Sequence, residues 1–186
     1  SYYHEVKKNS RVWNSMFQGR PSSEEGEFFL VNKIAKLTPE ETDIRRSECT
    51  TIVRAWDPAA TEDGGDYSVG AEIGMSPDGR VTIFDGVREQ VESAGRDALQ
   101  LKTAKRDGFD TVITFPNDPG AAGNTAVYHV QQLLKGYTVV PRPTSGSKED
   151  RARSFASAVN SGMVSFGADM DDEFFKEAKK ELRNFP

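Results

Sequence analysis

Two aspartates stand at the ends of apolar runs, where a β-strand would present a side chain at the edge of a sheet. Asp57 closes the run "IVRAW", and Asp118 lies in "NDPG" just beyond the run "VITF". If the two strands are neighbours, both carboxylates reach the same edge, and carboxylates held close together repel each other unless a cation lies between them. Hard divalent cations such as Mg²⁺ bind such oxygens at about 2.0–2.1 Å. A pair of these ions about 3.5–4 Å apart can activate water for phosphodiester cleavage.

The same aspartates also have a plainer interpretation as turn residues. Asp57 and Asp118 each precede a proline, and aspartate before proline is common in turns. Asp66 opens the next apolar run, "YSVGAEIGM", and could simply begin a strand with its side chain bonded to a nearby backbone amide. On spacing alone, both interpretations stay open.

A basic segment, "KEDRAR", follows a later predicted strand. Its Lys148, Arg151 and Arg153 are typical of a solvated helix start, yet their place after a strand could direct them to the same sheet edge. The nearby "GSK" lacks the glycine and spacing of a phosphate-binding loop. No combination of serine, histidine and aspartate indicates a nucleophile.

The elements that must position these residues follow from periodicity and turn residues. Strands are predicted over residues 50–56, 67–75, 81–87, 111–115, 137–140 and 163–166. Helices are predicted over residues 92–108, 125–136, 147–162 and 171–185. Three leading strands joined by tight turns should pair antiparallel, while later strands that alternate with helices should be parallel. The predicted fold class is therefore α/β, a mixed sheet flanked by helices.

Composition excludes several classes of protein. The 186 residues are 36% hydrophobic and 28% charged, typical of a soluble globular domain, and no apolar run approaches the length of a membrane span. The polar first residues predict no signal peptide. A single cysteine, Cys49, excludes an internal disulfide framework and a multi-cysteine zinc site. The net charge of −5 argues against a protein that binds nucleic acid by bulk charge.

Several segments, taken in order, resemble the nuclease domain of the large subunit of tailed-bacteriophage DNA-packaging terminases. "WDPAATEDGGDYSVGAEIG" is similar to the strand with the first acid, and "VITFPNDPGAAGNTAVYHV" to the segment with the second. "SGSKEDRARSFASAVNSGMVSF" resembles the basic segment of the family, and "FFKEAKKELRNFP" the helix before its final acidic motif. "SRVWNSMFQGRPSSEEGEFF" resembles the segment that leaves the ATPase domain.

The resemblance implies a ribonuclease H-like fold and a metal-dependent endonuclease that cuts concatemeric double-stranded DNA to genome length. It implies that Asp57 and Asp118 bind Mg²⁺ or Mn²⁺, as two ions, and that Asp66 is an auxiliary acid. Lys148 would lie near the metals or the scissile phosphate. Arg151, and with it Arg153, would contact the DNA backbone.

The resemblance also implies partners and a division of the chain. Residues 1–49 are predicted to be a linker or arm from an ATPase domain of the same full-length protein, and residues 50–186 the nuclease domain. The further expected partners are the small terminase subunit and the portal, with no membrane, in the host cytoplasm during virion assembly. The first residue is serine rather than methionine, so a fragment is expected.

One departure from the family is its third acid, which follows a segment like "ELRNFP", whereas this chain ends at Pro186. We therefore expect a domain truncated before that motif. Asp171 and Asp172 precede the last predicted helix, where acids are favoured by the helix dipole, and we predict that role for them. Two alternatives remain open: a non-catalytic docking module for the portal or motor domain, and a related RNase H-like resolvase or transposase nuclease.

Overall fold

The structure, a computed structural model, describes residues 28–58 and 67–185. Its strands are β1 (Ala35–Lys36), β2 (Thr51–Asp57), β3 (Ser68–Met75), β4 (Val81–Glu89), β5 (Val112–Asn117), β6 (Val139–Pro143) and β7 (Val164–Phe166). Its α-helices are α1 (Pro39–Glu48), α2 (Ser93–Asp107), α3 (Ala121–Leu133), α4 (Lys148–Asn160) and α5 (Asp172–Arg183). One turn of 3-10 helix, Val31–Lys33, precedes β1.

All seven strands form one mixed sheet in the order β1-β7-β4-β3-β2-β5-β6. The pairs β2–β3 and β3–β4 are antiparallel, whereas β2–β5, β5–β6, β4–β7 and β1–β7 are parallel. This confirms the predicted division into antiparallel leading strands and parallel later ones. The "SPDG" turn between β3 and β4 depends on Gly79, whose φ of 85° suits a residue without a Cβ.

A first apolar core lies between the sheet and helices α2 and α3. Its buried members are Trp56, Leu99, Ala104, Ile113, Phe115 and Leu134. The Trp56 ring packs on the backbone of Gly70, where an added Cβ would come within 2.8 Å of the ring. Trp56 precedes Asp57 in β2, and successive strand side chains point to opposite faces. Burial of the indole therefore directs the Asp57 carboxylate to the other face.

A second core joins the sheet to helices α4 and α5. Its buried members are Phe29, Val31, Ile34, Ile83, Ala156, Val159, Val164, Phe166 and Met170. Three of these, Phe29, Val31 and Ile34, come from residues 28–49, and Phe29 and Val31 are each only 1% exposed. The same segment contributes β1, which pairs with β7. The predicted domain boundary at residue 50 stays a prediction. The described residues before it nevertheless supply part of this core.

A layer of charged side chains lies inside the protein on the face that carries Trp56. Arg54 is fully buried, and its neighbour across the β2–β3 ladder, Glu72, is only 6% exposed. Glu72 accepts from both terminal nitrogens of Arg46 at 3.2 and 2.7 Å, and the Arg46 guanidinium lies 4.3 Å from the Phe84 ring centroid. The bond to Glu72 raises the pKa of Arg46. This pair attaches α1 to the middle of the sheet.

The structure has two elements that were not predicted, β1 and α1, in the segment expected to be a linker, and the boundaries of the other elements differ most at β6 and α3. Helix α3 begins at Ala121 instead of residue 125, directly after Gly120, whose φ is 110°. Gly123 lets the first turn of this helix pack against the end of β5, because an added Cβ would clash with the Asp118 carbonyl oxygen. In the described ranges, no helix is long and apolar enough to span a bilayer.

Candidate functional site

Strands β2, β5 and β6 run parallel, so their carboxyl ends lie at one edge of the sheet. Ala55 pairs with Thr114, so Asp57, two residues on, reaches the level of Pro116. Asp118 lies two residues after Pro116, directly beyond the end of β5. The structure therefore confirms that Asp57 and Asp118 lie at the same edge, at the ends of adjacent strands. Both residues are exposed.

The position of Asp118 is fixed by the segment after β6. The Thr144 hydroxyl donates to Asp118 Oδ1 at 2.6 Å, and the Thr144 backbone N–H donates to the Asn117 carbonyl at 3.1 Å. On the other side, a Cβ added at Gly123 would lie 1.9 Å from the carbonyl oxygen of Asp118. Asp118 is thus held between Thr144 and the first turn of α3.

Oxygen atoms at this edge are suited to a hard divalent cation. The exposed carboxylates of Asp57 and Asp118 supply such oxygens. Carboxylate, amide and hydroxyl oxygens are ligands that Mg²⁺ and Mn²⁺ accept. The donor types therefore fit such an ion. Among the described residues, however, no group of three or more histidine, cysteine, aspartate or glutamate side chains is placed to hold a metal.

Asp66, the predicted auxiliary acid, lies outside the described residues. The structure resumes at Tyr67, directly before β3. Because β3 is antiparallel to β2, its first residues lie beside the end of β2, and Val69 pairs with Asp57. The role predicted for Asp66 stays a prediction.

The predicted DNA-binding residues lie on the first two turns of α4. Ser147 caps this helix, its hydroxyl accepting from the Asp150 N–H at 3.0 Å. Because β6 ends at Pro143, beside Asn117 of β5, α4 begins only a few residues from the edge that carries Asp118. Lys148, Arg151 and Arg153 are all exposed.

Two of these basic residues have partners of their own. The Lys148 ammonium lies 5.1 Å from the Phe185 ring centroid, and Arg153 Nη2 is 3.2 Å from Asp150 Oδ1. The Ser147 hydroxyl, and after it the Arg153 guanidinium, hold the pKa of the Asp150 carboxyl below its usual range. Of the three, the Arg151 side chain has no ion pair or ring contact with another described residue. The DNA-binding role of all three residues stays a prediction.

Asp171 and Asp172 begin α5, as predicted. Asp171 is the N-cap, and its Oδ1 accepts from the Phe174 N–H at 2.9 Å. Asp172 Oδ1 accepts from the Lys36 ammonium at 2.6 Å, which lowers the pKa of the Asp172 carboxyl. Both acids stabilise the helix start and its attachment to the segment before α1.

Sequence reasoning missed Thr144 and Asn117. Asn117 stood within "PNDPG", where it was taken as part of a turn, and Thr144 is separated from Asp118 by 26 residues. The available signal was that each residue lies a few residues after a predicted strand. Only the pairing of β5 with β6 shows that the two residues meet.

Comparison with known proteins gives one family and one fold. The model of the terminase RNase H-like domain matches residues 54–186. Among solved structures, the nuclease domain of the large terminase subunit gp2 of bacterial virus Sf6, with manganese and beta-thujaplicinol, is 12% identical at a TM-score of 0.52, over 82% of this chain and 78% of that chain. The large terminase nuclease from thermophilic phage G20c, with bound magnesium, is 18% identical at a TM-score of 0.51, over 88% of this chain and 82% of that chain.

The comparison with solved structures confirms the predicted ribonuclease H-like fold. At these identities it shows the fold alone. No curated protein matches the chain.

Proposed function

Because the chain belongs to the family of terminase RNase H-like domains, we propose that it is the nuclease of a viral DNA-packaging motor. It would act as an endonuclease that cleaves concatemeric double-stranded DNA during genome packaging. The observation that carries this proposal is the placement of Asp57 and Asp118 at the ends of adjacent parallel strands. Two carboxylates at one sheet edge can hold the metal ions that catalyse phosphodiester hydrolysis.

Mg²⁺ or Mn²⁺ is the proposed cofactor, bound as two ions. Asp57 and Asp118 would hold it with their exposed carboxylates. The related nuclease domains from Sf6 and G20c were solved with manganese and magnesium, which supports the same choice here. When bound, such ions supply an activated water and stabilise the charge on the leaving oxygen.

Side chains of the protein would orient the metal ligands and bind the DNA. Thr144 holds the Asp118 carboxylate by the 2.6 Å hydrogen bond, so that one of its oxygens has a fixed direction. Asp66 is proposed as an auxiliary acid that orients the site. Lys148 would meet the scissile phosphate, and Arg151 and Arg153 the DNA backbone, since the start of α4 lies near the edge that carries Asp118.

The proposed partners are double-stranded DNA, the ATPase domain of the full-length protein, the small terminase subunit and the portal. The proposed place of action is the host cytoplasm during virion assembly. These proposals rest on family membership.

A second candidate function is a non-catalytic docking module. The observation that favours it is that the described residues contain no group of three acidic or other metal-binding side chains. A docking module would bind a protein partner, and Asp57→Ala would leave that binding unchanged. The third candidate, an RNase H-like resolvase or transposase nuclease, would prefer branched DNA to linear duplex.

Nicking of supercoiled plasmid with Mg²⁺ or Mn²⁺ tests the proposal. Wild type is compared with Asp57→Ala and Asp118→Ala, and with Asp110→Ala as the matched control, since Asp110 is an exposed aspartate before the opposite end of β5. The nuclease predicts metal-dependent nicking that both site variants lose and the control keeps. Nicking that persists in Asp57→Ala would contradict the proposed site.

A further inference from the structure

Asp57 and Arg88 lie in one row of paired residues that crosses strands β2, β3 and β4. Asp57 lies opposite Val69 on β3, and Val69 lies opposite Arg88 on β4. Directly opposed residues of antiparallel strands share one face of the sheet. Neighbouring strands lie about 4.8 Å apart, so the Arg88 Cα is about 10 Å from that of Asp57. The Arg88 side chain thus leaves the sheet on the face that carries the Asp57 carboxylate.

The Arg88 guanidinium stacks on an aromatic ring, and its ion pair is loose. It lies 3.4 Å from the centroid of the Tyr67 ring, and the side chain is 24% exposed. Its Nε is buried and has no hydrogen-bond partner among the described residues. Glu181 Oε1 lies 3.9 Å from its Nη2, beyond hydrogen-bond distance. Because the Nε is buried, an incoming acceptor would meet the partly exposed remainder of the side chain.

A cavity of about 380 Å³ gives an acceptor access to Arg88. It is lined by Tyr67, Gly86, Val87, Arg88, Glu89, Asp171, Glu173, Phe174 and Glu177. Two of its carboxylates already have partners: Asp171 caps α5, and Glu177 bonds Lys180 at 3.1 Å. Arg88 is the one basic residue among these lining residues.

We propose that Arg88 binds a backbone phosphate of the DNA strand beside the cut site, a proposal that rests on the proposed function. A guanidinium matches phosphate oxygens with two parallel hydrogen bonds, and stacking on Tyr67 fixes the plane in which it offers them. The lining carboxylates of Glu89, Asp171, Glu173 and Glu177, together with Glu181, oppose an anion here, so the contact contributes modestly to affinity. Glu181 gives up its loose ion pair when the phosphate binds.

The salt dependence of DNA binding tests this contact. Binding of a fluorescent 30-base-pair duplex is followed by anisotropy across a KCl series, with Ca²⁺ in place of Mg²⁺ and the duplex checked for cleavage afterwards. Loss of one phosphate contact lowers the slope of log K against log salt by about 0.9. We expect that change in Arg88→Gln. The control Arg80→Gln, at the other end of β4 and paired with Asp78, should keep the wild-type slope.

A second pair of variants guards against a folding defect. Arg88→Lys keeps the charge, so its slope should match wild type while its affinity falls several-fold through loss of the planar fork. Glu181→Gln should raise the duplex affinity several-fold when Arg88 is present, and by clearly less in the Arg88→Gln background. Equal gains in both backgrounds would show that Glu181 acts only through general charge, and would overturn the proposal.

Two further results would overturn it. One is an unchanged slope in a folded Arg88→Gln protein, and the other is a wild type without measurable duplex binding at about 50 mM salt. Neither result touches the proposed function, because metal-dependent nicking that requires Asp57 and Asp118 is measured separately. Conversely, the expected slope change in Arg88→Gln with no nicking by the wild type would leave the phosphate contact standing without support for the nuclease.

Discussion

Arg54 and Asp107 form a two-point ion pair inside the protein. Arg54 Nε lies 2.7 Å from Asp107 Oδ2, and Nη2 lies 2.9 Å from Oδ1. The same guanidinium contacts Asp85 at 2.8 Å and donates to the Gly70 carbonyl at 3.1 Å. Arg54 therefore joins β2, which ends in Asp57, to β3, β4 and the end of α2.

Asp107→Asn should strongly destabilise the fold. It leaves the fully buried Arg54 with only the half-exposed Asp85 as a charged partner, and breaking a buried pair costs about 3–5 kcal/mol. Urea unfolding measures the loss, with exposed Asp110→Asn as the control. A loss below about 1 kcal/mol would mean that Asp85 alone compensates Arg54.

Thr144→Val should weaken the candidate metal site without unfolding the protein. It removes the hydroxyl that donates to Asp118 at 2.6 Å and keeps the side-chain shape. Loss of a partner that orients a ligand typically costs about 10–100-fold in metal affinity. Mn²⁺ titration calorimetry measures this. Thr125→Val, which removes a hydroxyl bonded only to a carbonyl of its own helix, is the control and should bind Mn²⁺ as wild type does.

Gly123→Ala should destabilise the protein and disturb Asp118. The new methyl group would lie 1.9 Å from the Asp118 carbonyl oxygen, so α3 or the end of β5 must shift, at a cost of about 1–3 kcal/mol. Gly95→Ala is the matched control in α2, since its methyl meets only the Val91 side chain, at 3.1 Å. Thermal unfolding of both variants decides the matter. Equal melting temperatures would contradict the close approach of α3 to Asp118.

The stability of the fold should fall in acid partly through Asp172. Its hydrogen bond with Lys36, and then the charge of Lys36, lower the pKa of the Asp172 carboxyl in the folded state. A lowered folded pKa gives a contribution that is present above the unfolded pKa, about 3.9, and is lost as pH falls through the folded value.

The urea midpoint between pH 5 and pH 2.5 measures this contribution. Asp172→Asn and Lys36→Met remove the two sides of the same pair, so both should flatten the fall by the same amount. If the urea midpoint of either variant falls with pH as steeply as that of the wild type, other carboxylates account for the acid dependence.

Local pattern was enough to predict most elements and the direction of strand pairing. The "SPDG" turn is so short that β3 and β4 can only pair antiparallel. A helix lies between β4 and β5, so these two strands cannot form a hairpin. The capping residue Ser147 and the stop at Gly108 likewise act within one turn of the helices that they bound. Such signals depend on neighbouring residues, which the sequence displays directly.

Which residues of distant segments meet depends on the packing of the whole sheet and its helices. Arg54 reads as one polar residue in an apolar strand, and its burial depends on Asp107, 53 residues away. Thr144 meets Asp118 because β5 pairs with β6, and Arg88 shares a row with Asp57 because β3 separates their strands. From the sequence alone, Asp57 and Asp118 lie at or just beyond the ends of predicted strands. That those strands are neighbours follows from packing, since strand order is set by which buried faces fit together across the whole sheet.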